Sequence, residues 1–140
     1  MPKNIMIIDD EEDIRTYLMA VLEDNGFQTC TPAQEENVMD ALQREQPDLV
    51  LLDIMMPQRS GISIFRDLRN TAEIEHVPVA LISGIEKATG FFDGEIMPLL
   101  EGTDLTPPDG FIEKPIRIGQ LLAVVEKILE TKGEKGEFSD

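Results

Sequence analysis

Two stretches of four consecutive apolar residues constrain this chain more than any other feature. Ile5-Met6-Ile7-Ile8 runs into an acidic cluster, Asp9 to Asp13, and Leu49-Val50-Leu51-Leu52 runs into Asp53. A strand that is apolar at every position has both faces buried, which requires a parallel sheet with helices on both sides. The remaining pattern agrees. Residues 27–31, 77–82 and 110–113 supply three further strand-like runs. Between them, apolar residues recur at helical spacing. Ile14, Tyr17, Leu18, Val21 and Leu22 mark a first helix that ends at Asn25-Gly26, with Gly26 suited to a left-handed cap. Pro32 is expected to open a second helix carrying Val38, Ala41 and Leu42, and Ser60 to cap a third carrying Ile62, Phe65 and Leu68. Ile118, Leu121, Leu122, Val125 and Leu129 form the apolar face of the last helix. The expected architecture is one α/β domain over residues 1–131, with a polar, frayed tail over 132–140.

At 140 residues, 41% of them apolar, the chain has enough material for a single packed core. No apolar run approaches the roughly 20 residues that a membrane helix needs, and the N-terminal residues lack the pattern of a secretory leader. The expectation is a cytoplasmic protein with no membrane contact. A formal charge of −16, from 28 acidic and 12 basic side chains, repels phosphate backbones. Direct nucleic-acid binding is therefore not expected, whereas basic protein partners and divalent cations are favoured. The single cysteine, Cys30, is read as buried and inert, and the single histidine, His76, as a surface residue.

In open parallel sheets, ligands bind beyond the carboxyl ends of the strands. Asp9 and Asp10 follow the first strand, Asp53 ends the third, Ser83 follows the fourth, and Lys114 follows the fifth. Three carboxylates at one edge repel one another unless a cation or a proton intervenes. A hard divalent ion with oxygen ligands satisfies them, and magnesium fits best. A carboxylate can then act as a nucleophile and form an acyl phosphate. Lys114 offers a compact positive charge to phosphoryl oxygens, and the Ser83 hydroxyl a hydrogen bond.

The sequence resembles the receiver domains of response regulators in two-component systems, among them chemotaxis regulators. The resemblance rests on Ile-Ile-Asp-Asp-Glu-Glu at the first strand and on Leu-Leu-Asp53-Ile-Met-Met-Pro57 with Gly61 at the third. Leu-Ile-Ser83-Gly84 at the fourth and Glu-Lys114-Pro115-Ile at the fifth complete it. It covers residues 3 to about 131. The resemblance implies a flavodoxin-like strand order 2-1-3-4-5, with Asp53 as phosphoacceptor. It also implies magnesium held by Asp9, Asp10, Asp53 and the Met55 backbone carbonyl, and a cis bond before Pro115. Ser83 stands where such domains usually carry threonine, and together with Phe111 it would form the conformational switch. The implied donor is a histidine kinase or histidine phosphotransferase, and the implied output is an altered face for a downstream protein. The domain would not be an enzyme in its own right, although it would assist its own phosphorylation and slow dephosphorylation.

Two departures from the pattern carry expectations. The stretch from Ser83 to Lys114 is long and contains Gly90, Gly94, Pro98, Gly102, Pro107, Pro108 and Gly110, which opposes a regular helix between the fourth and fifth strands. A broken helix and an extra loop are expected there. Met55 and Ile85, two residues after the acceptor and two after the switch hydroxyl, are apolar and cannot orient an attacking water. Slow loss of the phosphoryl group is expected. The competing reading is a degenerate receiver that binds partners without phosphorylation. A haloacid-dehalogenase-like phosphohydrolase would place its nucleophile after the first strand and its acidic pair late, the reverse of the order here.

Overall fold

The computed structural model describes residues 2–33, 35–54, 56, 61–84 and 106–138. The elements run β1 (Asn4–Ile8), α1 (Glu12–Asp24), β2 (Gln28–Cys30), α2 (Val38–Glu45), β3 (Leu49–Asp53), α3 (Gly61–Arg69), β4 (Val79–Gly84), β5 (Gly110–Lys114) and α4 (Ile118–Phe138). The strands form one sheet in the order β2-β1-β3-β4-β5, and every adjacent pair is parallel. This is the five-stranded flavodoxin-like arrangement expected from the resemblance.

The apolar runs bury alternate side chains on opposite faces, as a period of two requires. Met6, Ile8, Val50 and Leu52 pack with α2 and α3 around Leu42, Phe65 and Leu68. Ile5, Ile7, Leu49 and Leu51 pack with α1 and α4 around Leu18, Leu22, Leu121 and Val125. The fully apolar strands are thus the ones enclosed between two helical layers.

Local chemistry sets the helix ends. After α1, the Phe27 N–H donates to Leu22 O at 3.1 Å and the Gly26 N–H to Glu23 O at 3.1 Å. This paired closure requires a left-handed residue, and Gly26 supplies it with φ +91°. The opening of α2 differs from the sequence expectation. Pro32 does not start it. Glu35 takes a left-handed φ of 69°, which interrupts any helix running from Pro32. Asn37 caps the helix instead, its side chain accepting from the Met39 N–H at 2.8 Å and the Asp40 N–H at 3.3 Å.

Three further expectations need correction. The fourth strand starts at Val79 rather than at residue 77, because the Val77 N–H is already taken by Ile74 O in the preceding turn. Tyr17 and Ile118 lie at the margins of their helices' apolar stripes and are exposed. The last helix does not end near residue 131 but continues to Phe138. Extending an anchored helix avoids the costly nucleation step and adds one backbone hydrogen bond per residue fixed, although Gly133 and Gly136 each oppose it by roughly 1 kcal/mol. The Ser60 cap and the broken helix between the fourth and fifth strands fall outside the described residues.

Candidate functional site

The parallel sheet brings the carboxyl ends of β1, β3, β4 and β5 to one edge. Asp53 closes β3, and Ile54 leaves the sheet with its N–H donated to Ile82 O at 3.1 Å. The start of α3 presses directly on this turn. A Cβ on Gly61 would overlap the Asp53 carbonyl oxygen and the Ile54 Cα, so only glycine permits the approach.

Asp9 follows β1 in a tight turn. Its Oδ1 accepts the Glu11 N–H at 2.9 Å, and its backbone carbonyl accepts from Arg15 Nη1 at 2.6 Å. This clamp directs Oδ2 away from the backbone. Among the described residues, Asp9, Asp10 and Asp53 form one group whose carboxylate oxygens lie within 4.8 Å of one another. Asp9 and Asp53 are buried and Asp10 is exposed.

Lys114, the last residue of β5, reaches back over this group. Its Nζ lies 3.2 Å from Asp53 Oδ2 and 3.8 Å from Asp9 Oδ2. The peptide bond from Lys114 to Pro115 is cis, as the resemblance implied. Ser83 lies inside β4 rather than beyond it and is fully buried. Half-buried Phe111 pairs in register with Leu81 and packs on the α2–α3 side of the core.

The electrostatics follow from burial and crowding. Loss of water pushes the Asp9 carboxyl up from its usual 3.8 to about 6. The Glu11 N–H and the Lys114 ammonium oppose the rise, while the Asp53 carboxylate adds to it. For Lys114, partial burial acts to lower its pKa, but the Asp53 and Asp9 carboxylates outweigh it and hold the ammonium above its usual range. Among the described residues, two buried polar atoms, Asp9 Oδ2 and Ser83 Oγ, have no hydrogen-bond partner. Unsatisfied buried groups are rare and costly, so this edge is built to receive something. An oxygen-seeking cation fits the first atom and its two carboxylate neighbours. An anionic oxygen fits the second, as acceptor of its hydroxyl.

The match to known proteins agrees with this geometry. Residues 5–94 match the response regulator receiver domain. The chain belongs to that family. A receiver domain of NtrX from Brucella abortus is 30% identical, with a TM-score of 0.69, over 91% of this chain and 98% of that one. The polar-differentiation response regulator DivK of Brucella anthropi is 25% identical over 92% of this chain and 98% of its own length. The phosphate regulon transcriptional regulatory protein PhoB of Escherichia coli is 30% identical over 92% of this chain but 52% of its own length. The chain therefore spans about half the length of curated relatives such as PhoB. Among the described residues, no helix of this receiver domain is long and apolar enough to cross a membrane.

The structure brings Asp9, Asp10, Asp53 and Lys114 together and places Ser83 buried near the end of β4, and Met55 lies outside the described residues. Sequence reasoning missed Arg15. Its only sequence signal is a basic residue one turn after Glu11 in an otherwise acidic segment. Cys30 is half-buried, and burial followed by the nearby Glu45 carboxylate pushes its thiol up to about 11, away from reactivity. His76 is exposed.

Proposed function

We propose that this receiver domain takes a phosphoryl group from a phosphohistidine onto Asp53, and that Asp9, Asp10 and Asp53 hold a magnesium ion for the transfer. Such an ion would neutralise the acidic edge and shield the incoming phosphoryl oxygens from it. The Met55 carbonyl is a further proposed ligand. In the transfer, a carboxylate oxygen of Asp53 forms a bond to phosphorus as the phosphorus–nitrogen bond to histidine breaks. The leaving imidazole nitrogen takes a proton from solvent. Positioning and charge neutralisation do most of the work in such a step.

Lys114 supplies the compensating charge on the side of β5, and the Ser83 hydroxyl supplies a hydrogen-bond donor from β4. The observation that carries this reading is the group Asp9, Asp10 and Asp53 with Lys114 against it, where Asp9 Oδ2 and the buried Ser83 Oγ lack a hydrogen-bond partner among the described residues. A module that only bound partners would have no use for three crowded carboxylates with a lysine against them. Once Asp53 carries the phosphoryl group, Ser83 moves toward it and Phe111 changes rotamer, which alters the face that includes β5 and α4 for a downstream protein. The donor is a histidine kinase or histidine phosphotransferase.

Phosphoramidate, which carries a phosphorus–nitrogen bond like that of phosphohistidine, tests the proposal directly. With magnesium it should add one phosphoryl group by intact mass, and chelator should abolish the addition. A chain that binds magnesium but gains no mass would point instead to phosphorylation-independent partner binding.

A further inference from the structure

Transfer to Asp53 depends on where Lys114 sits, and Lys114 depends on the register of β5. That strand is five residues long and pairs with β4 on one side, at the end of the strand order. A slip of one residue would move Lys114 by about 3.3 Å and turn its side chain to the opposite face. Its present gap to Asp53 Oδ2 is 3.2 Å, so a slip would remove it from the site.

The base of β5 carries an unusual fastening. Asp109 grips the first residue of β4 with both its backbone and its side chain. Its N–H donates to Val79 O at 2.8 Å, and its Oδ2 accepts the Val79 N–H at 2.9 Å. The same Oδ2 lies 3.2 Å from Arg69 Nη2. Arg69 ends α3 with a side chain only 3% exposed, stacked over the Phe65 ring at 5.0 Å. Its remaining donors reach main-chain carbonyls. Nη1 donates to Glu75 O and Val77 O, and Nε donates to Thr106 O at 3.1 Å. One buried guanidinium therefore joins α3, the approach to β4 and the approach to β5. Loss of Asp109 would leave the buried guanidinium without its carboxylate.

We propose that Arg69 and Asp109 are positioning residues for phosphoryl transfer: their clasp at the base of β5 locks the register that delivers Lys114 to Asp53. The clasp lies at the far end of the strand from the chemistry and touches no reacting atom. This inference rests on Asp53 being the acceptor, and the test separates the two.

The experiment is a double-mutant cycle on the full chain, read as the initial rate of phosphorylation by phosphoramidate at saturating magnesium. Arg69→Met keeps the packing against Phe65 and removes the donors. It should lower the rate by about tenfold or more, since small misplacements of a positioned group are costly. In a Lys114→Ala background the same change should cost less than about twofold, because its route of action is already gone. Magnesium affinity by calorimetry should hold in both, since the three carboxylates lie on β1 and β3. Equal losses in the two backgrounds would overturn the proposal, as would a folded variant with an undiminished rate. If Arg69→Met does not fold, Asp109→Asn carries the same cycle, since it keeps an acceptor for the Val79 N–H but not the charge. Interstrand NOEs between β4 and β5 read the register without any chemistry. Their full retention in the variant overturns the clasp. Their loss in the variant, with a native chain that accepts no phosphoryl group, removes the Asp53 reading and leaves the register lock standing.

Discussion

Replacing Asp9 with asparagine should stabilise the protein at neutral pH in the absence of divalent ions. The reason is the carboxyl raised from 3.8 to about 6 by burial and by the neighbouring Asp53. A carboxyl with a raised pKa binds its proton more tightly in the folded state than in the unfolded one. Its contribution is fully favourable below the unfolded value and is lost as pH rises through about 6. A shift of this size corresponds to on the order of 3 kcal/mol, about two-thirds of it falling between pH 4.5 and 7.5. Asparagine keeps an acceptor for the Glu11 N–H without the charge. Urea unfolding of both proteins in chelator across that pH range reads the effect. The difference should grow with pH in favour of Asp9→Asn and level off above about pH 7. Magnesium should then narrow or reverse it by stabilising the native chain selectively. A difference that stays flat with pH would refute the assignment of a strained, deprotonated Asp9.

Other outcomes follow from single contacts. Gly61→Ala drives a methyl group into the backbone of Asp53 and Ile54, which cannot yield as a flexible side chain could. It should cost about 1–3 kcal/mol in denaturant unfolding and slow phosphorylation as well. Ser83→Ala removes a buried hydroxyl that has no hydrogen-bond partner among the described residues, so metal-free stability should change by less than about 1 kcal/mol while phosphorylation slows. A large loss of stability would show that the hydroxyl is already engaged. With apolar Met55 and Ile85 flanking the acceptor and the switch hydroxyl, the phosphorylated chain should persist well beyond seconds. Mass spectra taken after removal of the donor give the lifetime, and decay within seconds would count against that reasoning.

The features visible in the sequence were those with a local pattern. The two unbroken apolar runs announced strands buried on both faces. Once the sheet was parallel, the residues ending its strands had to converge on one edge, which brought Asp9, Asp53 and Lys114 together. The features that escaped were settled by competition or by distance. Pro32 and Asn37 are both plausible helix openers, and the carboxamide prevailed because it satisfies two backbone donors that proline cannot. Tyr17 and Ile118 fit helical spacing, yet spacing alone does not say how far round a helix burial extends, and both are exposed. Arg69 and Asp109 stand 40 residues apart, and no short-range periodicity links a basic residue ending one helix to an acidic one preceding a later strand.

The most direct measurement is to locate the phosphoryl group. Native chain treated with phosphoramidate and magnesium would be reduced with borohydride, which converts an acyl phosphate to a stable alcohol, and then mapped by peptide mass. Modification at Asp53, absent in Asp53→Ala and absent with chelator, is the predicted result. Modification of Asp9 or Asp10, or phosphorylation that survives in Asp53→Ala, would contradict the account.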